Sequence, residues 1–392
     1  MRRRLKKCLC VLLAGLTLAL TGCWNNRPIT KLCIVAGMGF DKAEDGKLLL
    51  TAQIVIPRML GNGASGSGSG NTSGNAGVEV SVEGDTVFDA VRNLLQKINR
   101  KAYFGHVQML VFGETVAEEG IQTVWDFMER DNEFSRTMRV IVVQGGTAAS
   151  LLHVEPDLGK LTANELESTI DNSYQMGKSV KIQSFEVTQL LSNPNSAIVT
   201  GAAQVGSATM LSDVTVVGSA VFDPHDKLVG YFTPEQTRGY LFAQNQIQST
   251  ILVIKNPAEP DKKISLEVIR SSSRMQASVS GGRPALAIHV QVEGNLGGEQ
   301  GTTNLYTAKY IPLIESEADE LIQSEIQSAW EVSRELSCDV FSLNALLYRE
   351  AYGEYHKMAD RWETVYPTAD CRITVGFELK RPGLINRPAY KQ

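Results

Sequence analysis

The sequence predicts a mixed α/β fold of the α+β kind, multi-domain, with mixed and antiparallel sheets flanked by helices. Three observations carry that prediction. Short apolar runs of strand length alternate with segments of helical period. Hairpin signals recur in both halves, each a pair of apolar runs around a turn rich in Asp, Gly or Pro. The 392 residues, 43% hydrophobic and 21% charged, are enough to bury more than one core.

The N-terminus reads as a leader. Arg2, Arg3, Arg4, Lys6 and Lys7 precede an apolar run from Cys8 to Leu20, and Leu20-Thr21-Gly22-Cys23 closes it with small residues around a cut site. That is the layout of a signal peptide, here of the lipoprotein type, over residues 1–22. The apolar run is shorter than the ~20 residues a bilayer core requires, so it is not read as a spanning helix. Cleavage before a cysteine whose thiol carries diacylglycerol makes Cys23 the expected lipidation site and the first mature residue. With two acyl chains, at ~0.8 kcal/mol per buried methylene, it would anchor the chain to the extracytoplasmic face of a membrane.

The first mature domain is placed at residues 23–206. Residues 32–40 and 48–56 form a hairpin around the turn 41–46. Residues 61–77 are almost all Gly, Ser, Asn, Ala and Thr, and form an expected flexible surface loop. Val78, Val80 and Val82 alternate as a third strand, and Asp85 stands where a cap would precede a helix with Val87, Val91, Leu94, Leu95 and Ile98 on one face. A strand over 103–112, one helix over 116–130, a strand over 138–143 and helices over 161–172 and 184–191 follow. A boundary is set near Gly206.

A second region, 207–385, divides into expected subdomains 207–260 and 261–385, with a tail at 386–392. Strands over 214–222 and 228–231 flank the turn Asp223-Pro224-His225-Asp226. A polar helix or turn spans 234–244, and strands follow at 251–254, 264–269 and 286–292. In the last of these Leu286, Ile288, Val290 and Val292 share one face, the mark of a half-buried antiparallel strand. Helices over 315–336 and 343–358 and a closing strand with Ile373, Val375, Phe377 and Leu379 complete the chain.

Charge and motif searches narrow the function. The leader holds five basic residues and no acidic one, so its removal takes the formal charge from -5 to -10. That balance argues against nucleic acid and against a polybasic membrane patch. With Cys8 and Cys10 in the leader and Cys23 acylated, Cys33, Cys338 and Cys371 remain, which read as buried thiols or at most one Cys338–Cys371 bridge. No metal-ligand spacing is present, and His106, His153, His225, His289 and His356 share none. Gly61-Asn62-Gly63-Ala64-Ser65-Gly66 matches a dinucleotide fingerprint by composition, with no helix after it, so no cofactor is expected. Asp41, Asp45 and Gly46 lack the remaining ligands of a calcium loop, and Glu118 with Glu119, or Glu315 with Glu317, read as solvated helix faces. The expectation is a non-catalytic protein with neither cofactor nor metal.

Several blocks nevertheless stand in a recognisable order: Gly22-Cys23-Trp24; Gly39-Phe40-Asp41; Lys101-Ala102-Tyr103-Phe104-Gly105-His106; Gly113-Glu114; Gly218-Ser219-Ala220-Val221-Phe222 with Lys227-Leu228-Val229-Gly230; and Asp339 to Phe341 with Trp362. This order resembles the germinant-receptor C-subunit lipoprotein family, Ger(x)C, of endospore-forming bacteria. The chain departs from the family at Asn25 and Pro28, where acidic residues are expected, and in the tract 61–77. The resemblance implies a lipoprotein of three mixed α/β domains on the outer face of the spore inner membrane. It would act in nutrient-triggered germination with integral-membrane A and B subunits. No partner-contact residue comes with the resemblance; within the best-matching block His106 is the candidate to face a partner. The alternative from composition alone is a solute-binding lipoprotein of a transporter, which would want two parallel-sheet lobes around a cleft.

Overall fold

The computed structural model describes Pro28 and residues 31–60, 75–156, 159–193, 195–206 and 214–381. The leader, Cys23, residues 61–74 of the Gly/Ser tract with its fingerprint match, and the tail lie outside the described residues.

β1 (Leu32–Lys42) and β2 (Leu48–Val55) pair as the expected hairpin, with Lys42 opposite Leu48. β3 (Gly77–Gly84) adds antiparallel to β2. α1 (Val87–Lys97) is capped by Thr86, whose hydroxyl accepts the Asp89 N–H at 3.1 Å; Asp85 is not the cap, and its own N–H is held by the Asp89 carboxylate.

Two expected elements of the first region are each divided in the structure. The strand expected over 103–112 is β4 (Lys101–Tyr103) and β5 (Met109–Gly113), both parallel to β1. Between them Phe104 turns inward and stacks on Phe134, ring centroids 4.8 Å apart, which takes the backbone out of the ladder. The helix expected over 116–130 is α2 (Glu114–Glu119) and α3 (Gln122–Arg130), broken at Gly120, whose φ of +120° no helical residue adopts.

β6 (Arg139–Val143), α4 (Ala148–Leu152), α5 (Thr162–Gln175) and α6 (Ser184–Leu191) lead to β7 (Ile198–Val205). α4 and β7 have no counterpart in the sequence reading. β7 contains Thr-Gly-Ala-Ala in a stretch whose first six residues are all buried, so it shows no alternation. β8 (Val214–Phe222) and β9 (Leu228–Phe232) then complete a sheet of order β3-β2-β1-β5-β6-β7-β8-β9, with β4 beside β1. Its middle strands are parallel and its flanks antiparallel.

β5 and β6 are buried along their whole length because helices cover both faces. α4 and α5 pack Leu151, Leu152 and Ile170 over Met109, Val111 and Ile141. On the opposite face Leu94, Val116, Trp125 and Val187 join Phe40 and Phe112. Each such side chain withdrawn from water contributes roughly 1.5–3 kcal/mol before ordering costs.

The second sheet is β10 (Thr250–Lys255), β11 (Lys263–Ser280), β12 (Arg283–Glu299) and β13 (Asp370–Arg381), in that order. The first three are antiparallel, and β13 lies parallel to β12. β11 and β12 run well past the expected strands because their distal halves pair through Ser- and Gly-containing stretches that show little apolar signal. Leu286, Ile288, Val290 and Val292 are buried on the inner face, as expected. α7 (Pro234–Ala243), the long α8 (Ile311–Glu335) and α9 (Leu343–Glu350) follow, and the helix expected over 343–358 stops at Glu350, with a separate short helix, Tyr352–Tyr355, after Ala351. The junction between the sheets runs through α7 and α8, where the Arg238 Nε donates to the Glu325 carboxylate at 2.8 Å and a second guanidinium nitrogen closes the pair. The boundary expected at 206/207 falls between β7 and β8, paired neighbours of the first sheet. The one expected at 260/261 falls in the link between β10 and β11, paired neighbours of the second.

Candidate functional site

Three carboxylates from the recognised blocks, Asp41, Glu114 and Asp339, are the natural starting point, and the fold puts each to structural use. Asp41 ends β1, and its carboxylate accepts the N–H groups of Ala148 at 2.7 Å and Ala149 at 2.8 Å. It thereby ties the first turn of α4 to the sheet. Burial pushes its pKa up, while the two N–H groups pull it down. Gly113, at the end of the neighbouring β5, has no room for a side chain: a Cβ there would stand 2.0 Å from the Asp41 Oδ1. The next residue, Glu114, accepts the Gly145 N–H at 3.0 Å and the Tyr231 hydroxyl at 2.6 Å, joining three segments at the C-terminal edge of the parallel strands. Burial and this carboxylate both drive the Tyr231 pKa upward.

The second sheet repeats the device. Asp339 is 2% exposed and accepts the N–H groups of Leu343 at 2.8 Å and Asn344 at 2.7 Å, capping α9, together with the indole N–H of Trp362 at 3.1 Å. Burial pushes its pKa up to about 7 against the pull of those donors. Trp362 in turn packs on Tyr366, and Tyr366 on Trp330, with centroids 6.0 and 5.5 Å apart. Asp339 and Trp362, separated by 23 residues in sequence, are thus one assembly.

These groups have the wrong surroundings for general acid/base work: their lone pairs are committed to backbone and aromatic donors. Glu315 is placed likewise, accepting the Leu379 N–H at 2.9 Å beside Asp319, which accepts that of Phe377 at 2.6 Å. The acid pair therefore covers the open edge of β13, a use that no spacing in the sequence announces. Among the described residues no group of three or more His, Cys, Asp or Glu is placed to hold a metal ion. Cys33, Cys338 and Cys371 are free thiols, and burial pushes Cys338 and Cys371 up to about 12. No described helix is long and apolar enough to cross a membrane.

The Lys101–His106 block has a different character. Lys101 to Tyr103 pair with Leu32 to Ile34 at the start of β1, Phe104 is buried, and the chain then turns outward. His106 is exposed and meets Tyr103 edge-on at 5.4 Å. Phe134, on which Phe104 stacks, also lines a cleft of about 160 Å³ together with Trp125, Met128, Arg136 and Met138. That is well below the ~300 Å³ at which small-molecule sites begin. Of the residues singled out in the sequence, Asp41, Glu114, Asp339 and Trp362 turn inward, and His106 is left facing solvent. The geometry offers a surface for contact.

Two family models match the chain, and they meet between β7 and β8, within the first sheet. Residues 25–203 match the family described as spore germination protein N-terminal domain, and residues 217–383 match spore germination B3/GerAC like, C-terminal. Among curated proteins of Bacillus subtilis (strain 168), spore germination protein KC is 27% identical, covering 99% of this chain and 98% of that one. Spore germination protein B3 is 19% identical over 94% and 96%. The crystal structure of the GerBC protein superposes with a TM-score of 0.55 at 16% identity, covering 88% and 96% of the two chains, a likeness of fold.

Proposed function

We propose that this chain, which belongs to the Ger(x)C family of spore germination proteins, is the non-catalytic C subunit of a nutrient germinant receptor. In this reading Cys23 carries diacylglycerol and holds the protein at the outer face of the spore inner membrane. There it assembles with the integral-membrane A and B subunits, and the exposed turn around His106 is a partner contact. The observation that carries the proposal is the match to both family models, in order, over most of the mature chain. The commitment of Asp41, Glu114 and Asp339 to backbone and aromatic donors supports it, because it leaves those carboxylates no reacting partner.

The alternative, a solute-binding lipoprotein, calls for two parallel-sheet lobes facing across a hinge. Here a mixed sheet and a largely antiparallel one are joined through α7 and α8 by a buried ion pair. The test is purification of the protein from detergent-solubilised spore membranes, with and without Cys23→Ala. Two integral-membrane proteins should accompany the wild type, and labelled palmitate should appear on it and not on the variant. Recovery with a transporter permease instead would favour the alternative.

A further inference from the structure

The overall charge of the chain hides an uneven distribution. Lys31 precedes β1, Lys101 is the register partner of Leu32, and Arg100 precedes Lys101; burial raises the Cys33 thiol pKa, and the nearby Arg100 opposes part of that rise. Lys97 ends α1, which runs down from the far end of β3 to this same end. Arg58 lies just beyond the end of β2, whose Ile54 is opposite Val35. All five side chains are exposed, and Lys31, Arg58, Lys97 and Arg100 make no ion pair or side-chain hydrogen bond among the described residues. Lys101 alone is paired, with Glu133. Beside Arg58, Met59 and Leu60 are 38% and 42% exposed.

Five cations dispersed over seventy residues of sequence therefore meet at the start of β1, in a chain whose formal charge is -5. This end is also where the tether arrives. Eight residues lie between Cys23 and Leu32, and the nine steps from one Cα to the other span at most about 30 Å even when fully extended. A lipid on Cys23 thus keeps the basic end within that distance of the bilayer.

We propose that the end of the first sheet at which β1 begins rests on an anionic phospholipid surface. Lys31, Arg58, Lys97, Arg100 and Lys101 face the headgroups, and Met59 and Leu60 enter the interface. The proposal rests on the lipid-anchor reading for its orientation and adds a second attachment, one that fixes how the protein stands on the membrane. Basic side chains at such a surface act additively and lose their effect within a Debye length, so the contact is sensitive to salt. The composition of the chain argues against a polybasic patch; the fold builds one from residues that are separate in sequence.

The test uses the mature chain from residue 23 to 392 with Cys23→Ser, which lacks only the acyl chains, and sedimentation with phosphatidylglycerol/phosphatidylcholine vesicles against pure phosphatidylcholine. Binding to the anionic vesicles alone, weakened by salt, is expected. Lys97→Glu/Arg100→Glu/Lys101→Glu should reduce it on the order of a hundredfold. Arg270→Glu/Arg274→Glu/Arg372→Glu makes the same charge change on the outer face of the second sheet, at exposed arginines that make no ion pair among the described residues, and should reduce it only a few-fold. Circular dichroism and thermal midpoints establish that both variants fold. Equal loss in the two variants, equal binding to neutral vesicles, or no vesicle binding would overturn the proposal. The last outcome, with palmitate still found on Cys23 of the native protein, would leave the anchor standing and assign the basic end to a protein partner. Vesicle binding without palmitate labelling would remove the anchor and keep the surface.

Discussion

The two ends of the parallel strands in the first sheet are built from the same elements and treated in opposite ways. Where β1 and β5 finish, Asp41 and Glu114 are occupied by α4, Gly145 and Tyr231, so the polar groups there hold the fold together. Where β1 begins, Lys31, Arg58, Lys97 and Arg100 have no ion-pair partner among the described residues, only Lys101 of the five cations is paired, with Glu133, and the Lys101–His106 turn stands out from the sheet. One end closes the domain and the other is available for contact. A charged residue in a family block can thus serve stability or recognition, and its immediate donors and acceptors decide which.

The sharpest way to break this comparison is to remove a clamp. Asp339, the second-sheet counterpart of Asp41, holds three donors, and Asp339→Ala would strand all of them in a buried site. A loss of about 3–5 kcal/mol is expected in denaturant unfolding, with a lowered midpoint. The same carboxyl has a pH signature. Its folded pKa of about 7 lies above the ordinary 3.8, so the folded state holds the proton more tightly. That contribution is complete below about pH 4 and is lost as pH rises through 7. Thermal midpoints between pH 4 and 8 should carry this downward slope in the wild type and lose it in Asp339→Asn.

Asp41→Ala should cost somewhat less, about 2–4 kcal/mol, because it strands two N–H groups. Hydrogen exchange at Ala148 and Ala149 should rise with it. Normal protection there would show that α4 is held by packing alone. The smallest effect is expected at the open end: His106→Ala should change stability by no more than about 0.5 kcal/mol, since its ring only edges Tyr103. Recovery of membrane partners should fall nonetheless. A stability loss matching that of Asp41→Ala would place His106 among the structural residues.

What the sequence discloses follows the same contrast. Elements whose side chains alternate or repeat against one covered face, such as α1, α6 and the proximal part of β12, are legible because burial writes the period into the residues, and the β1–β2 hairpin is legible because two continuous apolar runs flank a turn. β7 is not, because its first six residues are buried on both faces and include the small residues Gly201, Ala202 and Ala203. The break at Gly120 is hidden because a lone glycine does not reveal its φ. The clamps are illegible for a different reason. Asp41 lies 107 residues from Ala148, and Asp339 lies 23 from Trp362, so only the folded chain shows that these groups are consumed. The basic end is likewise invisible to composition, which averages Lys97, Arg100 and Lys101 with acids that the fold sends elsewhere. His106 is singled out by its block, and the structure leaves it accessible.

The most direct measurement of the contrast is hydrogen–deuterium exchange of the protein in the presence of anionic membranes against the same protein without them. The account predicts that membranes slow exchange in residues 31–34 and 97–108 and leave the β1–β2 turn at 43–47 and the start of α4 unchanged. Protection confined to the turn and α4, with none at the start of β1, would contradict it.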